Sequence, residues 1–331
     1  MRFLGFIACS LLMASSSGAE YASTEILVIP WGTGPNQLEA LESYTEDVPT
    51  DTQGWIKAQF PGMGPHQGFV DASGNVFINS ATLSYFKVFR PDGGLMLDLS
   101  PSAIGSENQF YHKYVHKFHV DSLDRMYFLG APDPLDVDRP PYVAVADTDG
   151  NLLDRLNPFG AQSGVLITNL YSNSDDVLTI GCLDSGFFTF AGGNFSTVAC
   201  DYWWRAIDGY YYGAYMEGRE TLKVIRGQAS VGDSLVSKSY YSIALSESTY
   251  TAHLLAVSDA LHLFVYLTHP GVPLSSLVEI SQQFAIVDQI SFPYESEKYH
   301  MDLYPYISPD GTVYEFRCLD DGLHVIRWSK E

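Results

Sequence analysis

The feature that most constrains this chain is a unit of four short apolar runs joined by tight polar turns, which returns along most of its 331 residues. The clearest copy begins at His66: Gln67 to Asp71, the turn Ala72-Ser73-Gly74, then Asn75 to Ile78. A third run, Tyr85 to Arg90, meets Pro91-Asp92-Gly93, and Leu95 to Leu99 is the fourth. The runs are rich in aromatic and β-branched residues, which suit a pleated, half-buried surface, and Gly, Asp and Pro supply the turn geometry. No sustained helical periodicity competes with this rhythm.

The unit repeats in order. The second copy runs His116 to Val120, Arg125 to Leu129, Tyr142 to Ala146 and Leu152 to Leu156, with turns at Asp121 to Asp124 and Asp147 to Gly150. Further copies start at Val165, Trp204, His253 and Leu303. Four-stranded units in series predict the blades of a β-propeller. The last unit stops after its third strand at Glu331, while one apolar strand, Glu25 to Trp31, is left over at the other end. The two shortages match. The fold predicted is therefore all-β, a six-bladed β-propeller closed by an N-terminal strand that completes the last blade. Blades are expected at about 64–100, 114–157, 164–200, 203–239, 252–291 and 302–331 plus strand 25–31.

Residues 1–19 read as a secretory signal: Arg2, an apolar stretch from Phe3 to Met13, then small residues through Ser17 and Ala19 before Glu20. Residues 20–331 are expected to form one exported domain, periplasmic or extracellular, with no transmembrane segment. The 18 basic and 39 acidic residues give a net charge of -21. That balance argues against nucleic acid and anionic lipid surfaces, both of which need clustered Lys and Arg.

The stretch from Gly64 to Phe77, with Phe86 to Gly93, resembles the NHL-type repeat of bacterial exported six-bladed propellers. The likeness is close over residues 26 to 100, and Ser84-Tyr85 stand where that family carries an Asn-Arg pair. The resemblance implies a fold and a tendency to bind partners, without one activity.

Candidate site residues follow from the expected topology. His66 and His116 each stand five residues before a turn aspartate, Asp71 and Asp121, and His300 precedes the last inner strand. Three imidazoles near one channel mouth would suit zinc. Asp133, Asp136 and Asp138 offer oxygen ligands at calcium-like spacing, without the Gly and Glu of an EF-hand loop. Tyr202, Trp203 and Arg205 could stack on a sugar or peptide. The long connections, 39–63, 101–115, 130–140 and 240–251, are expected on one face and the short turns on the other, with ligands meeting the loop-rich face. No Gly-x-Ser-x-Gly elbow, His-Glu-x-x-His or phosphate loop occurs. The reading is an exported propeller that binds a protein, peptide or glycan on its loop-rich face without catalysis and without a cofactor. Its alternative is a metal-dependent lactonase or lyase, using zinc or calcium, with a site in the central channel.

Overall fold

The computed structural model describes residues 21–42, 44–49, 55–60, 63–80, 85–99, 118–130, 142–157, 167–172, 174–175, 177–182, 186–191, 194–198, 204–229, 235–269, 275–292 and 304–330. Strand β1 (Tyr21–Pro30) comes first, then a hairpin of β2 (Tyr44–Pro49) and β3 (Trp55–Phe60). Blade one is β4 (Gln67–Val70), β5 (Val76–Ser80), β6 (Tyr85–Phe89) and β7 (Leu95–Asp98). Blade two is β8 (Phe118–Val120), β9 (Met126–Gly130), β10 (Tyr142–Ala146) and β11 (Leu152–Leu156). Blade three is β12 (Ile167–Ser172), β13 (Leu178–Cys182), β14 (Gly186–Ala191) and β15 (Asn194–Val198). Blade four is β16 (Trp204–Arg205), β17 (Tyr211–Met216), β18 (Thr221–Ala229) and β19 (Leu235–Ala244). Blade five is β20 (Thr251–Val257), β21 (Leu263–Thr268), β22 (Ser275–Ile280) and β23 (Ile286–Phe292). The last blade takes β24 (Tyr306–Ile307), β25 (Val313–Cys318) and β26 (Gly322–Lys330), and β1 is its outer strand.

This is a six-bladed propeller, closed as the strand count requires. β1 runs antiparallel to β26 from Tyr21↔Lys330 to Pro30↔Gly322, with a bulge between Glu25 and Leu27. Leu27 and Ile29 point inward and are buried with Val76, Ile78, Phe89 and Leu323 between blades six and one. The closing strand thus supplies core as well as covering an edge.

The first turns of blades one, two, four, five and six, as described, share one backbone design. In blade one, Asp71 accepts hydrogen bonds from the amides of Ser73 and Asn75, and Gly74 takes the left-handed conformation at φ 81°. The equivalent fourth positions are Asp124, Gly209, Leu261 and Gly311, and all have positive φ. Two segments depart from expectation: the connection 39–63 carries the β2–β3 hairpin. Residues 240–244, read in sequence as connection, extend β19, because Tyr241 and Ile243 continue the ladder with Val224 and Leu222. Among the described residues no helix is long and apolar enough to cross a membrane.

Candidate functional site in the central channel

The inner strand of each blade places one side chain in the channel wall, two residues before the turn. These positions are Phe69, His119, Trp204, Ala256 and Tyr306 in blades one, two, four, five and six, and all line a single cavity of about 800 Å³. Side chains alternate along a strand, so the residue two further on shares that face. Those residues are Asp71, Asp121, Ala206, Ser258 and Ser308. Of the five wall positions, only His119 changes charge between acid and neutral pH.

His119 belongs to β8, and its partner crosses the seam from blade three. Its Nε2 lies 2.8 Å from Ser172 Oγ and accepts a 2.9 Å hydrogen bond from the Ser172 amide. The amide fixes the tautomer: Nε2 carries the lone pair and Nδ1 the proton. Both residues are buried and both line the cavity. Phe69 meets the imidazole edge-on at 5.8 Å, and Tyr127 stacks beside it at 6.5 Å. Burial pushes the His119 imidazole down to about 4, against the pull of the Asp121 carboxylate. At neutral pH the ring is an uncharged proton acceptor facing a serine hydroxyl.

Around this pair the wall is aromatic and the turn end is acidic. Tyr171 stacks on Trp204 at 3.7 Å, and Tyr306 packs on Phe69 at 4.4 Å. Burial pushes the Tyr171 and Tyr306 phenols well up, so both stay neutral. Asp71, Asp121, Asp124, Asp259 and Asp310 line the cavity where the inner strands turn. The short turns, expected to face away from any ligand, therefore form part of the cavity.

Of the residues singled out in sequence, His66 lines the cavity, with its Nδ1 3.4 Å from Ser80 Oγ. Arg205 does something else: its guanidinium pairs with Asp175 at 2.7 Å and its amide donates to Tyr171 Oη, tying blade four to blade three. His116, His300, Tyr202, Trp203, Asp133, Asp136 and Asp138 lie outside the described residues. Among the described residues no group of three or more His, Cys, Asp or Glu could hold a metal ion. His119 and Ser172 escaped the sequence reading, yet a signal was present. His119 stands two residues before a turn aspartate, which is the wall position of the repeat.

No family model matches this chain, and no curated relative matches it. Solved structures do. A member of the DUF4221 family from Bacteroides vulgatus matches with a TM-score of 0.50 at 10% identity, covering 95% of this chain and 99% of that one. A catalytically inactive virginiamycin B lyase from Staphylococcus aureus with quinupristin gives 0.47 at 10% identity, covering 94% and 100%. A PQQ-bound aldose sugar dehydrogenase from Streptomyces coelicolor gives 0.47 at 8% identity, covering 94% and 99%. This chain has the six-bladed propeller fold.

At such identities the likeness establishes the fold alone. The neighbours that carry a stated chemistry are lyases and dehydrogenases, against the expectation of a propeller that binds without catalysis. That expectation rested on the repeat, the export signal and the absence of a linear catalytic motif. Residues from different blades meet around a channel at no fixed spacing, so a linear motif is the wrong signal to seek.

Proposed function

We propose that this chain is an exported enzyme whose chemistry takes place in the central channel, opening a lactone or a related ester with His119 as proton acceptor and Ser172 as nucleophile. The observation that carries the reading is the buried, neutral His119 Nε2 placed 2.8 Å from Ser172 Oγ inside the cavity. Hydroxyl and base within hydrogen-bond reach are what nucleophilic catalysis needs. As Ser172 Oγ bonds to the ester carbonyl carbon, the Ser172 amide releases the single Nε2 lone pair and the hydroxyl proton passes to it. The same proton then goes to the departing ring oxygen as the carbonyl–oxygen bond breaks. A water molecule repeats the sequence, releasing the carboxylic acid and restoring Ser172. The acidic turn end disfavours anionic substrates and helps expel a carboxylate product.

The channel wall admits a ring-sized, uncharged molecule: Phe69, Trp204, Tyr304 and Tyr306 offer apolar faces, and Tyr304 is exposed to the cavity. The metal-dependent form of this activity would draw on His66, His116 and His300. His66 is the one described member of that set, so no step is routed through a metal. Assignment to the NHL-type propellers is supported by the sequence from Gly64 to Gly93, and export by Arg2, the Phe3 to Met13 stretch and the small residues at Ser17 and Ala19.

The test is turnover of γ- and δ-lactones and aryl esters by residues 20–331, comparing the native chain with Ser172→Ala. That substitution removes the hydroxyl and keeps the amide bond to His119. A loss of about 10²–10⁴-fold in kcat/KM with an unchanged melting temperature is expected. Equal turnover by the two proteins would contradict the assignment.

A further inference from the structure

We propose that Arg125 is a positioning residue that holds down the proton affinity of His119 by neutralising Asp121, the carboxylate on the same face of the chain. The inference rests on the candidate role of His119 only for its functional meaning, since the electrostatic relation can be read without turnover.

The pair stands in the first turn of blade two. Asp121 is buried, and its Oδ2 receives Arg125 Nε at 2.7 Å, Arg125 Nη2 at 2.6 Å and Tyr127 Oη at 3.0 Å. Its Oδ1 receives the amides of Leu123 and Arg125. A planar guanidinium pairing through two nitrogens is the strongest way to hold a carboxylate's charge in place. Arg125 also lies 5.8 Å from the ring of Tyr127, the residue stacked beside His119.

The repeat provides an internal comparison. In blade one the wall position is Phe69, and Asp71 is capped by the neutral amide of Asn75 at 2.8 Å. The positions equivalent to Asn75 and Arg125 are Tyr210, His262 and Thr312 in blades four, five and six, and the wall residues there are Trp204, Ala256 and Tyr306. An arginine at the position of Asn75, paired with the first aspartate of the turn, stands in the blade whose wall residue is a histidine; blade four, with Trp204 in the wall, places its Arg226–Asp208 pair at other positions. Without the arginine, a buried carboxylate two residues from His119 would draw the imidazole toward its protonated form.

The groups facing His119 from each neighbouring element can be named. Blade one contributes Phe69. β9 contributes Tyr127. β12 contributes Tyr171 and Ser172. Its own turn contributes Asp121, Asp124 and Arg125. Among the described residues, Arg125 is the one permanent cation in this set.

The experiment follows the His119 imidazole by NMR titration of histidine-labelled protein, with resonances assigned by His119→Gln. In Arg125→Gln the titration midpoint should rise by about one pH unit or more, the usual effect of an opposite charge nearby. Arg125→Lys, which keeps the charge, should stay close to the native value, and Asp121→Asn with Arg125→Gln should return toward it. An unmoved midpoint in folded Arg125→Gln, or an equal rise in Arg125→Lys and Arg125→Gln, would overturn the proposal. Failure of the enzyme reading looks different: the midpoints move as stated while Ser172→Ala leaves turnover intact.

Discussion

The phenol of Tyr21 donates a 2.8 Å hydrogen bond to the carboxylate of Glu279, 258 residues away. Lys330 pairs with the same Glu279 oxygen at 2.6 Å, and His262 meets the other oxygen. The start of β1 and the end of β26 are therefore both fastened to blade five through one buried acid. Ring closure is a ladder of backbone bonds reinforced by side chains at its open end.

Removing residues 21–31 should destabilise the whole propeller. Leu27 and Ile29 are buried, and each is worth roughly 1.5–3 kcal/mol on burial, before the cost of baring β26 as a sheet edge. Urea unfolding should show one cooperative transition displaced to lower denaturant by about 3–6 kcal/mol or more. A midpoint equal to that of residues 20–331 would mean that β1 does not hold the ring.

Gly322→Ala tests the same seam from the other strand. A Cβ there would come 2.4 Å from the carbonyl oxygen of Ile29, and backbone gives way poorly. We expect a loss of about 1–3 kcal/mol, the range for overpacking. Gly209→Ala is the control with a different cause. Open space surrounds Gly209, so the cost there comes from its φ of 77° alone.

The closure should depend on pH in both directions. Burial pushes the Glu279 carboxyl up, but hydrogen bonds from Lys330, His262 and Tyr21 outweigh it, and the net result lies below the ordinary 4.5. That stabilisation is present above pH 4.5 and lost as pH falls through the folded value. His324 donates to Glu25 at 2.6 Å and to Asp321 at 2.8 Å; burial pushes the imidazole down, but the two carboxylates raise it above the ordinary 6.5. Its contribution is complete below pH 6.5 and lost as pH rises through the folded value. Hydrogen exchange of the β1 amides should therefore be slowest between pH 4.5 and 6.5, after correction for intrinsic rates. His324→Gln should remove the alkaline limb, and a limb that persists in that variant would assign it elsewhere.

The fold was legible because each blade repeats local signals. Asp71, Asp121 and Asp310 mark turns, Gly74 and Gly311 supply their left-handed residue, and the spare strand around Leu27 matches the spare edge of β26. The extension of β19 was hidden, since Tyr240 to Ala244 has no turn residue to separate strand from connection and is settled by pairing with β18. The candidate site was half legible. His66, singled out for its spacing to Asp71, lines the cavity. His119 and Ser172 lie 53 residues apart in different blades, and only the seam between β8 and β12 brings them together. Arg205, singled out as a cation beside tryptophans, pairs with Asp175 across the seam, a partner that no spacing in the sequence announces.

The central claim is that a neutral His119 works on the Ser172 hydroxyl in the channel. Its most direct test is the pH dependence of kcat/KM for lactone opening by the native chain and by Ser172→Ala. For the native chain we predict a plateau near neutrality and a decline of about tenfold per pH unit below the His119 value of about 4, with Ser172→Ala flat and about 10²–10⁴-fold lower. A Ser172→Ala profile that overlays the native one in height and shape would show that this pair is a seam between blades and no more.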